Sequence, residues 1–193
     1  MPRLLREGSI LTARREEDAP KVFVYMMEQD DPRKCTASIL ARARLATPMR
    51  KLSDIRKDTI VLNPVSPQFL LPSDASGITR SGVMAVDCSW EKAEAIFMKR
   101  FRGANRKLPH LLAANPVNYA RIGKLSTAEA LSAALYIAGF RPHAERLLSP
   151  FSWGETFFTL NREILRAYSN ARTDEDIAKA ILNFGLESFG SFS

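Results

Sequence analysis

Two residues with the chemistry of a binding site, Asp87 and Trp90, follow directly after an apolar stretch. The apolar run over residues 82–86 predicts a buried strand, and Ser89 can cap a helix that ends near Gly103. In open α/β sheets, ligands bind outside the carboxyl ends of parallel strands. A carboxylate and an indole at such an edge suit a small cationic ligand that carries a flat base. The alternative is that Asp87 only helps to cap the helix and Trp90 only packs.

The first predicted strand and helix of the chain place a third polar residue, Thr36, at a helix start. Residues 21–27 are rich in β-branched and aromatic side chains and predict a buried strand, and residues 34–44 predict a helix. Free backbone N–H groups and the helix dipole favour a carboxylate at such a position. From these residues alone we expect Thr36 to cap the helix in preference to binding a ligand.

The composition limits the class of protein. With 193 residues, of which 46% are hydrophobic, the chain is expected to form one large globular domain or two small ones, and its net charge of +7 favours a polyanionic partner. Cys35 and Cys88 are too few for a disulfide framework, and with only two histidines they offer no zinc spacing. We therefore expect no metal site and a reducing, cytoplasmic location. No apolar run reaches the roughly 18 residues of a membrane helix, so no membrane contact is expected.

Two clusters of basic residues flank the predicted ligand edge. Residues 41–57 contain six Lys or Arg and the single acid Asp54, and residues 99–107 contain five Lys or Arg and no acid. A solvated face is the commoner role of one charge run, but two acid-poor clusters favour nucleic acid, whose phosphates would give affinity without sequence choice. The predicted RNA-binding residues are Arg42, Arg44, Lys51, Lys99, Arg100, Arg102 and Arg106.

The remaining pattern changes character near Asn115. Before it, residues 58–62, 69–71 and 108–114 predict short strands, and residues 72–82 a turn region. After it, a capping box from Ser126 to Glu129 opens a helix that Gly139 ends. Further helices are predicted over residues 142–149, 155–168 and 174–184, the last one capped by Thr173. The pattern thus predicts an α/β domain with a mostly parallel sheet over residues 1–114 and an all-α domain over residues 115–193.

Several common enzyme motifs are absent from the sequence. It contains no G-x-G-x-x-G fingerprint, no phosphate loop, no G-x-S-x-G elbow and no H-E-x-x-H helix. Dinucleotide oxidoreductases, P-loop NTPases, α/β-hydrolases and zinc proteases therefore lose their main support.

Six blocks in the same order resemble the small-subunit rRNA aminocarboxypropyltransferase family of ribosome biogenesis. They are DPRKCT (31–36), LNP (62–64), VDCSW (86–90), LLAANPVNY (111–119), LST (125–127) and FSWG (151–154). The resemblance implies a SPOUT-like α/β domain with a trefoil knot, which is rare among folds. It implies a cleft for S-adenosylmethionine between this domain and the all-α domain. It also implies an acceptor pseudouridine, already methylated at N1, in small-subunit rRNA or a pre-ribosomal particle.

The implied reaction transfers the 3-amino-3-carboxypropyl group to N3 of that base and releases methylthioadenosine. By similarity, Thr36 would hold the carboxylate end of S-adenosylmethionine. Leu62, Pro64 and Trp90 would pack on its adenine or its methyl group, and Leu108, Leu125 and Ala130 would close the pocket from the helical half. The backbone near Met84 and Leu108, together with Thr127, would form hydrogen bonds to the ribose and the adenine.

Asp87 has two roles compatible with this reaction. It could accept the N3 proton as a general base, or it could bind the ammonium group and offset the sulfonium charge. We favour binding, because alkylation of an already acidic imide needs little help from a base and positioning usually contributes more.

The sequence departs from the family pattern at Asn63, where aspartate is common, and at Ala120, where glycine is usual. At these two positions the family pattern therefore does not predict the loop geometry. Two other functions are also compatible with the sequence: a SPOUT-class RNA methyltransferase, which would release S-adenosylhomocysteine, and an RNA-binding assembly factor, which would need no S-adenosylmethionine. We expect a monomer.

Overall fold

The computed structural model describes residues 19–26, 35–87, 97 and 101–187. Trp90, Lys99, Arg100 and most of the helix predicted after Ser89 lie outside the described residues. Within the described part of the chain, no helix has the length and apolar character needed to span a bilayer.

Five parallel strands form the sheet. They are β1 (Val22–Met26), β2 (Thr47–Met49), β3 (Ile60–Leu62), β4 (Val83–Asp87) and β5 (Ala104–Arg106), in the spatial order β2-β1-β4-β3-β5. Met26 pairs with Asp87 across β1 and β4, and Leu62 pairs with Arg106 across β3 and β5. Because every strand runs in the same direction, their last residues lie along one edge, which we call the carboxyl edge. The predicted parallel sheet is confirmed.

The two faces of the sheet carry separate apolar clusters. Side chains alternate along β4, so Val83 and Ala85 face one side, where they join the main core. Met84 and Val86 face the other side, in a smaller cluster that contains Phe97 and Phe101. Asp87 continues the alternation and belongs to the side of the main core. Two helices described in full in the first half, α1 (Thr36–Arg42) and α2 (Ala75–Ser81), contribute Leu40 and Ile78 to that same core.

The second half of the described chain consists of helices. They are α3 (Thr127–Ile137), α4 (Arg141–Leu148), α5 (Gly154–Leu160), α6 (Arg162–Ser169) and α7 (Asp174–Asn183). Capping boxes begin α3 at Ser126 and α7 at Thr173, as predicted. The fully buried Leu131 and Leu165 belong to the same apolar cluster as Val83 of the sheet. The two halves therefore share one hydrophobic core.

The single helix predicted over residues 155–168 is wrong, because α5 ends at Leu160 and α6 begins at Arg162. Between them Asn161 is fully buried. Its side-chain oxygen accepts from Leu112 N at 2.8 Å, and its amide nitrogen donates to Leu112 O at 2.8 Å. One amide thus satisfies both backbone groups of a distant residue, and the helix is interrupted where that amide turns inward.

The strand predicted over residues 108–114 is also wrong. Leu112 makes only an isolated antiparallel bridge with Ile122, because its backbone groups are taken by Asn161. Over residues 69–71 the structure has one bridge, from Phe69 to Lys107, and no strand. The predicted turn region over residues 72–82 instead contains a 3-10 helix (Pro72–Asp74) and α2. The short strands β2 and β5 had not been predicted.

Candidate functional site at the carboxyl edge

Asp87 ends the central strand β4 and lies in the middle of the carboxyl edge. From residues that the structure describes, its side chain accepts two hydrogen bonds, one on each carboxylate oxygen. Thr127 Oγ1 donates to Oδ1 at 2.8 Å, and Cys35 Sγ donates to Oδ2 at 2.9 Å. Cys35 is the N-cap of α1 and Thr127 is the first residue of α3. The starts of two helices therefore meet at this half-buried carboxylate.

Cys35 occupies the capping position that we expected Thr36 to fill, so that prediction is wrong. Cys35 Sγ accepts from Ser38 N at 3.4 Å. Thr36 lies one residue further on, and its hydroxyl accepts from Ala128 N of α3 at 3.4 Å. Burial, followed by the hydrogen bond to Asp87, raises the pKa of the Cys35 thiol above its ordinary value. The thiol is therefore protonated at neutral pH and can donate to the carboxylate.

A second carboxylate, Glu129, lies two residues after Thr127 in the first turn of α3 and is fully buried. It accepts from the backbone N–H groups of Ala114 (2.6 Å), Asn115 (3.0 Å) and Ser126 (2.7 Å). It also accepts from Asn115 Nδ2 at 2.7 Å and from Ser126 Oγ at 2.8 Å. The capping box predicted the bond to the cap residue. The bonds to residues 114 and 115 fasten the preceding loop to the start of α3.

The predicted apolar site residues mostly gather at the carboxyl edge. Leu62 ends β3 and is buried, Pro64 follows it in an exposed loop, and Leu108 comes two residues after the end of β5. Leu125 and Ala130 are half-buried on either side of the α3 start. Met84, whose backbone was predicted to take part, lies within β4 three residues before Asp87, and its side chain is fully buried on the opposite face of the sheet.

Asn63 connects the end of β3 to β5. Its side chain is 4% exposed, donates to Asn105 Oδ1 at 3.0 Å and accepts from Val65 N at 3.1 Å. The Asn105 amide in turn donates to Phe101 O at 2.8 Å. An aspartate at position 63 could not donate to Asn105. Asparagine in place of the family's usual aspartate at position 63 is therefore compatible with Asn105, whose side-chain oxygen accepts the hydrogen bond in this chain.

The predicted RNA-binding residues divide between the two ends of the strands. Arg42 and Arg44 lie at the end of α1 that is remote from Asp87, and Arg102 precedes β5. Lys51 and Arg106 lie at the carboxyl ends of the two outer strands. Arg106 Nε is 3.1 Å from each carboxylate oxygen of Asp74, so its charge is offset by an acid from outside the sequence cluster.

One further feature of the helical half lies apart from Asp87. A groove of about 630 Å³ on the helical half is lined by Tyr136, Phe151, Phe158 and neighbouring residues of α4 to α6, none of which is a predicted site residue. Among the described residues, no group of three His, Cys, Asp or Glu side chains could hold a metal ion.

Comparisons with known proteins give the relationships of this chain. Residues 60–184 match the family model described as "Ribosome biogenesis protein, C-terminal". A 16S rRNA aminocarboxypropyltransferase from Methanosarcina mazei is 39% identical over 86% of this chain and 94% of its own length. One from Methanocaldococcus jannaschii is 40% identical over 86% of this chain and 96% of its own length.

A solved structure is similar as well. The SAM-dependent rRNA:acp-transferase from Vulcanisaeta distributa superposes with a TM-score of 0.79 at 36% identity, covering 87% of this chain and 90% of that one. The matches extend over both the strands at the carboxyl edge and the helices that close on it. The chain therefore belongs to the family of 16S rRNA aminocarboxypropyltransferases.

Proposed function

We propose that this protein transfers the 3-amino-3-carboxypropyl group of S-adenosylmethionine to N3 of an N1-methylpseudouridine in small-subunit rRNA. The observation that carries the proposal is the position of Asp87. It is a carboxylate in the middle of the carboxyl edge, fixed by Cys35 and Thr127. The family membership of the chain supports aminocarboxypropyl transfer to small-subunit rRNA, because its relatives carry that activity in their names. The acceptor atom N3 and the N1-methylated base are part of the proposal.

The chemistry of this edge fits S-adenosylmethionine, which carries a sulfonium, an ammonium and a carboxylate. Within the described ranges, each oxygen of Asp87 accepts one hydrogen bond and has a second lone pair for a further partner. A half-buried carboxylate in this state suits a cationic group. Apolar side chains would surround the adenine and the methyl group, with Trp90 completing the pocket. These side chains are Leu62, Pro64, Leu108, Leu125 and Ala130. Thr36 and Thr127 would reach the polar parts of the molecule.

In the proposed reaction, N3 of the base attacks the γ-carbon of the aminocarboxypropyl group. The bond from this carbon to sulfur breaks, and its electron pair leaves with neutral methylthioadenosine. The N3 proton is released to Asp87 or to solvent. The pocket selects the product by geometry, since the carbon held about 3–3.5 Å from N3 is the one that reacts.

The proposal includes the architecture implied by the family. Residues 1–114 would form a SPOUT-like domain with a trefoil knot, residues 115–193 an all-α domain, and S-adenosylmethionine would bind in the cleft between them. The parallel sheet and the helical second half agree with this division. We propose that the protein acts as a monomer in the cytoplasm.

For the RNA we propose a basic surface. Lys51 is exposed at the carboxyl edge, and Arg44 and Arg102 are exposed at the other end of the strands. Arg42, Lys99, Arg100 and Arg106 complete the set. RNA that contacts this set would have to extend past both ends of the sheet.

The test uses S-adenosylmethionine that carries its label in the carboxypropyl carbons. One small-subunit RNA fragment carries N1-methylpseudouridine, and the matched control RNA carries unmethylated pseudouridine at the same position. We expect label in the methylated RNA and stoichiometric release of methylthioadenosine. Label recovered in S-adenosylhomocysteine would identify a methyltransferase instead. Absence of both products, with no heat on titration of S-adenosylmethionine, would identify a binding protein.

A further inference from the structure

The most exposed large apolar side chains in the described chain lie in one short loop before α3. Val117 is 85% exposed and Tyr119 is 60% exposed. A third exposed side chain, Val65 (38%), lies in the loop that follows β3 at the carboxyl edge. Exposure of single apolar residues is ordinary, but two large side chains exposed to this extent within three residues of one loop indicate contact with a partner.

The loop is held firmly by hydrogen bonds of its backbone. Ala120 N donates to Ala113 O at 2.7 Å, and Ala113 N donates to Arg121 O at 3.0 Å. Asn118 N donates to the Asn115 side chain at 3.0 Å, and Arg121 N donates to Asn118 O at 2.9 Å. Val117 and Tyr119 are therefore presented by a fixed turn. A turn whose backbone is already ordered loses little backbone entropy when it binds.

The base of this loop is attached to the helix start that contacts Asp87. The buried Asn115 donates to Glu129 in the first turn of α3, and Thr127 in that same turn donates to Asp87. The loop thus adjoins the proposed reaction site. A molecule whose reacting base lies near Asp87 would extend over this loop.

The charge around the loop indicates what kind of molecule this is. Residues 111–128 contain no Asp or Glu, and they contain the basic residues Arg121 and Lys124. Arg121 is exposed. A polyanion fits these charges, and an exposed aromatic ring beside a cation is the arrangement on which unpaired bases stack.

We propose that residues 115–121 form a contact surface for the substrate RNA, in which Tyr119 stacks on an unpaired base beside the acceptor nucleotide. This inference rests on the proposed function, because that function supplies RNA as the substrate. It adds a contact made by an aromatic ring, which differs from the phosphate contacts expected of the basic residues.

The test compares Tyr119→Ala with Tyr119→Phe, which keeps the ring, and with Leu182→Ala. Leu182 is an equally exposed apolar residue (57%) on α7 and serves as the matched control. Affinity for a fluorescent small-subunit RNA fragment is measured by anisotropy, and binding of S-adenosylmethionine is measured by calorimetry for each variant. We expect Tyr119→Ala to weaken RNA binding by about tenfold or more. Tyr119→Phe and Leu182→Ala should stay within about twofold of the wild type, and all three should bind S-adenosylmethionine normally.

The outcomes separate the inference from the function on which it rests. If the wild type transfers the group but Tyr119→Ala binds RNA equally well, the stacking contact is refuted and the proposed function stands. If Tyr119→Ala binds isolated RNA normally but fails to bind a pre-ribosomal particle, the loop contacts a protein and the inference is overturned. If the wild type neither binds RNA nor transfers the group, the proposed function itself fails.

Discussion

Asp87 accepts a hydrogen bond from Thr127 at the start of α3, and Glu129 lies in the first turn of the same helix, but the surroundings of the two carboxylates differ sharply. Glu129 is fully buried and accepts five hydrogen bonds, three of them from backbone N–H groups. Asp87 is half-buried, and from the described residues it accepts two, both from side chains. A carboxylate offers about four lone-pair sites. The protein itself fills those of Glu129, whereas the part of the chain that the structure describes uses only two of those of Asp87.

The comparison indicates how a fold separates a structural acid from a functional one. Removing an acceptor that satisfies several buried donors leaves those donors unpaired, which costs stability. Removing an acceptor whose remaining lone pairs are available to a ligand mainly lowers the affinity for that ligand. Stability should therefore depend on Glu129, and binding of S-adenosylmethionine should depend on Asp87.

The largest expected effect is on stability, from Glu129→Ala. This change leaves the N–H groups of Ala114, Asn115 and Ser126 without their acceptor in the interior, and we expect it to lower the free energy of unfolding by roughly 3–5 kcal/mol. Urea denaturation followed by circular dichroism measures it. The milder Glu129→Gln keeps one acceptor oxygen, should lose less, and remains measurable if the alanine variant does not fold.

Glu145, which is exposed on α4, is the matched control for this prediction. Glu145→Ala should change the free energy of unfolding by less than about 0.5 kcal/mol. Equal losses at positions 129 and 145 would show that the hydrogen bonds of Glu129 do not stabilise the fold.

The complementary change is Asp87→Asn. It removes the negative charge but keeps the shape, so we expect affinity for S-adenosylmethionine to fall about tenfold or more, since charge-assisted hydrogen bonds contribute roughly 1.5–3 kcal/mol. The free energy of unfolding should change by less than about 1 kcal/mol. Calorimetry and urea denaturation on the same preparation measure the two quantities. Loss of stability without loss of affinity would place Asp87 in the same class as Glu129.

Turnover of Asp87→Asn at saturating S-adenosylmethionine distinguishes the two roles of this residue. If Asp87 only binds, the variant has a raised KM for S-adenosylmethionine and the kcat of the wild type, because the lost interaction is made in the ground state as well. If Asp87 accepts the N3 proton, the kcat of the variant is lower than that of the wild type and its dependence on pH changes.

The hydrogen bond that Cys35 donates to Asp87 is tested by substituting Cys35, where a moderate effect is expected. Cys35→Ala removes the N-cap of α1 and one hydrogen bond to Asp87, and we expect a loss of about 0.5–2 kcal/mol in the free energy of unfolding. Cys35→Ser keeps a group that can donate and cap, so it should lose less. A serine variant as unstable as the alanine variant would show that the sulfur matters through packing alone.

The raised pKa of the Cys35 thiol gives this contact a pH dependence. The folded state favours the protonated thiol, so the stabilisation is present at neutral pH and is lost as the pH rises through the raised pKa, above the ordinary value of 9.0. We expect iodoacetamide to modify Cys35 more slowly at pH 8 than it modifies an unstructured cysteine peptide, because the thiolate fraction is smaller. Mass spectrometry of the peptide that contains residue 35 measures the rate. If Cys35 is modified at the rate of the free peptide, the hydrogen bond from its thiol to Asp87 is contradicted.

The sequence predicted those parts of this arrangement that depend on local patterns. The apolar runs of β1 and β4 predicted the central strand and one of its neighbours, and hence the position of Asp87 at a strand end. The capping box predicted the start of α3. The strands β2 and β5 could not be predicted, because each has three residues without an apolar pattern, and both exist through pairing with their neighbours.

The contacts that complete the site join residues far apart in the chain. Cys35 and Asp87 are separated by 52 positions and Thr127 and Asp87 by 40, so no local pattern indicates that they meet. The same holds for Asp74, which lies 32 positions from Arg106 and offsets its charge. The resemblance to a family indicated which residues belong to the site, but not the hydrogen bonds that hold Asp87.

The smallest expected effect is at Ala120, in the loop that Glu129 fastens to α3. Ala120 has a φ of +59°, in the left-handed region where a Cβ costs roughly 1 kcal/mol. Ala120→Gly should therefore raise the free energy of unfolding by about 0.5 kcal/mol, because part of the relief is lost to the greater freedom of glycine in the unfolded chain. Ala43, exposed at the end of α1 with a φ of −75°, is the matched control, and Ala43→Gly should lower the stability. If both glycine variants lose stability, Ala120 is not strained, and the hydrogen bonds around Glu129 hold the loop without opposing any backbone cost.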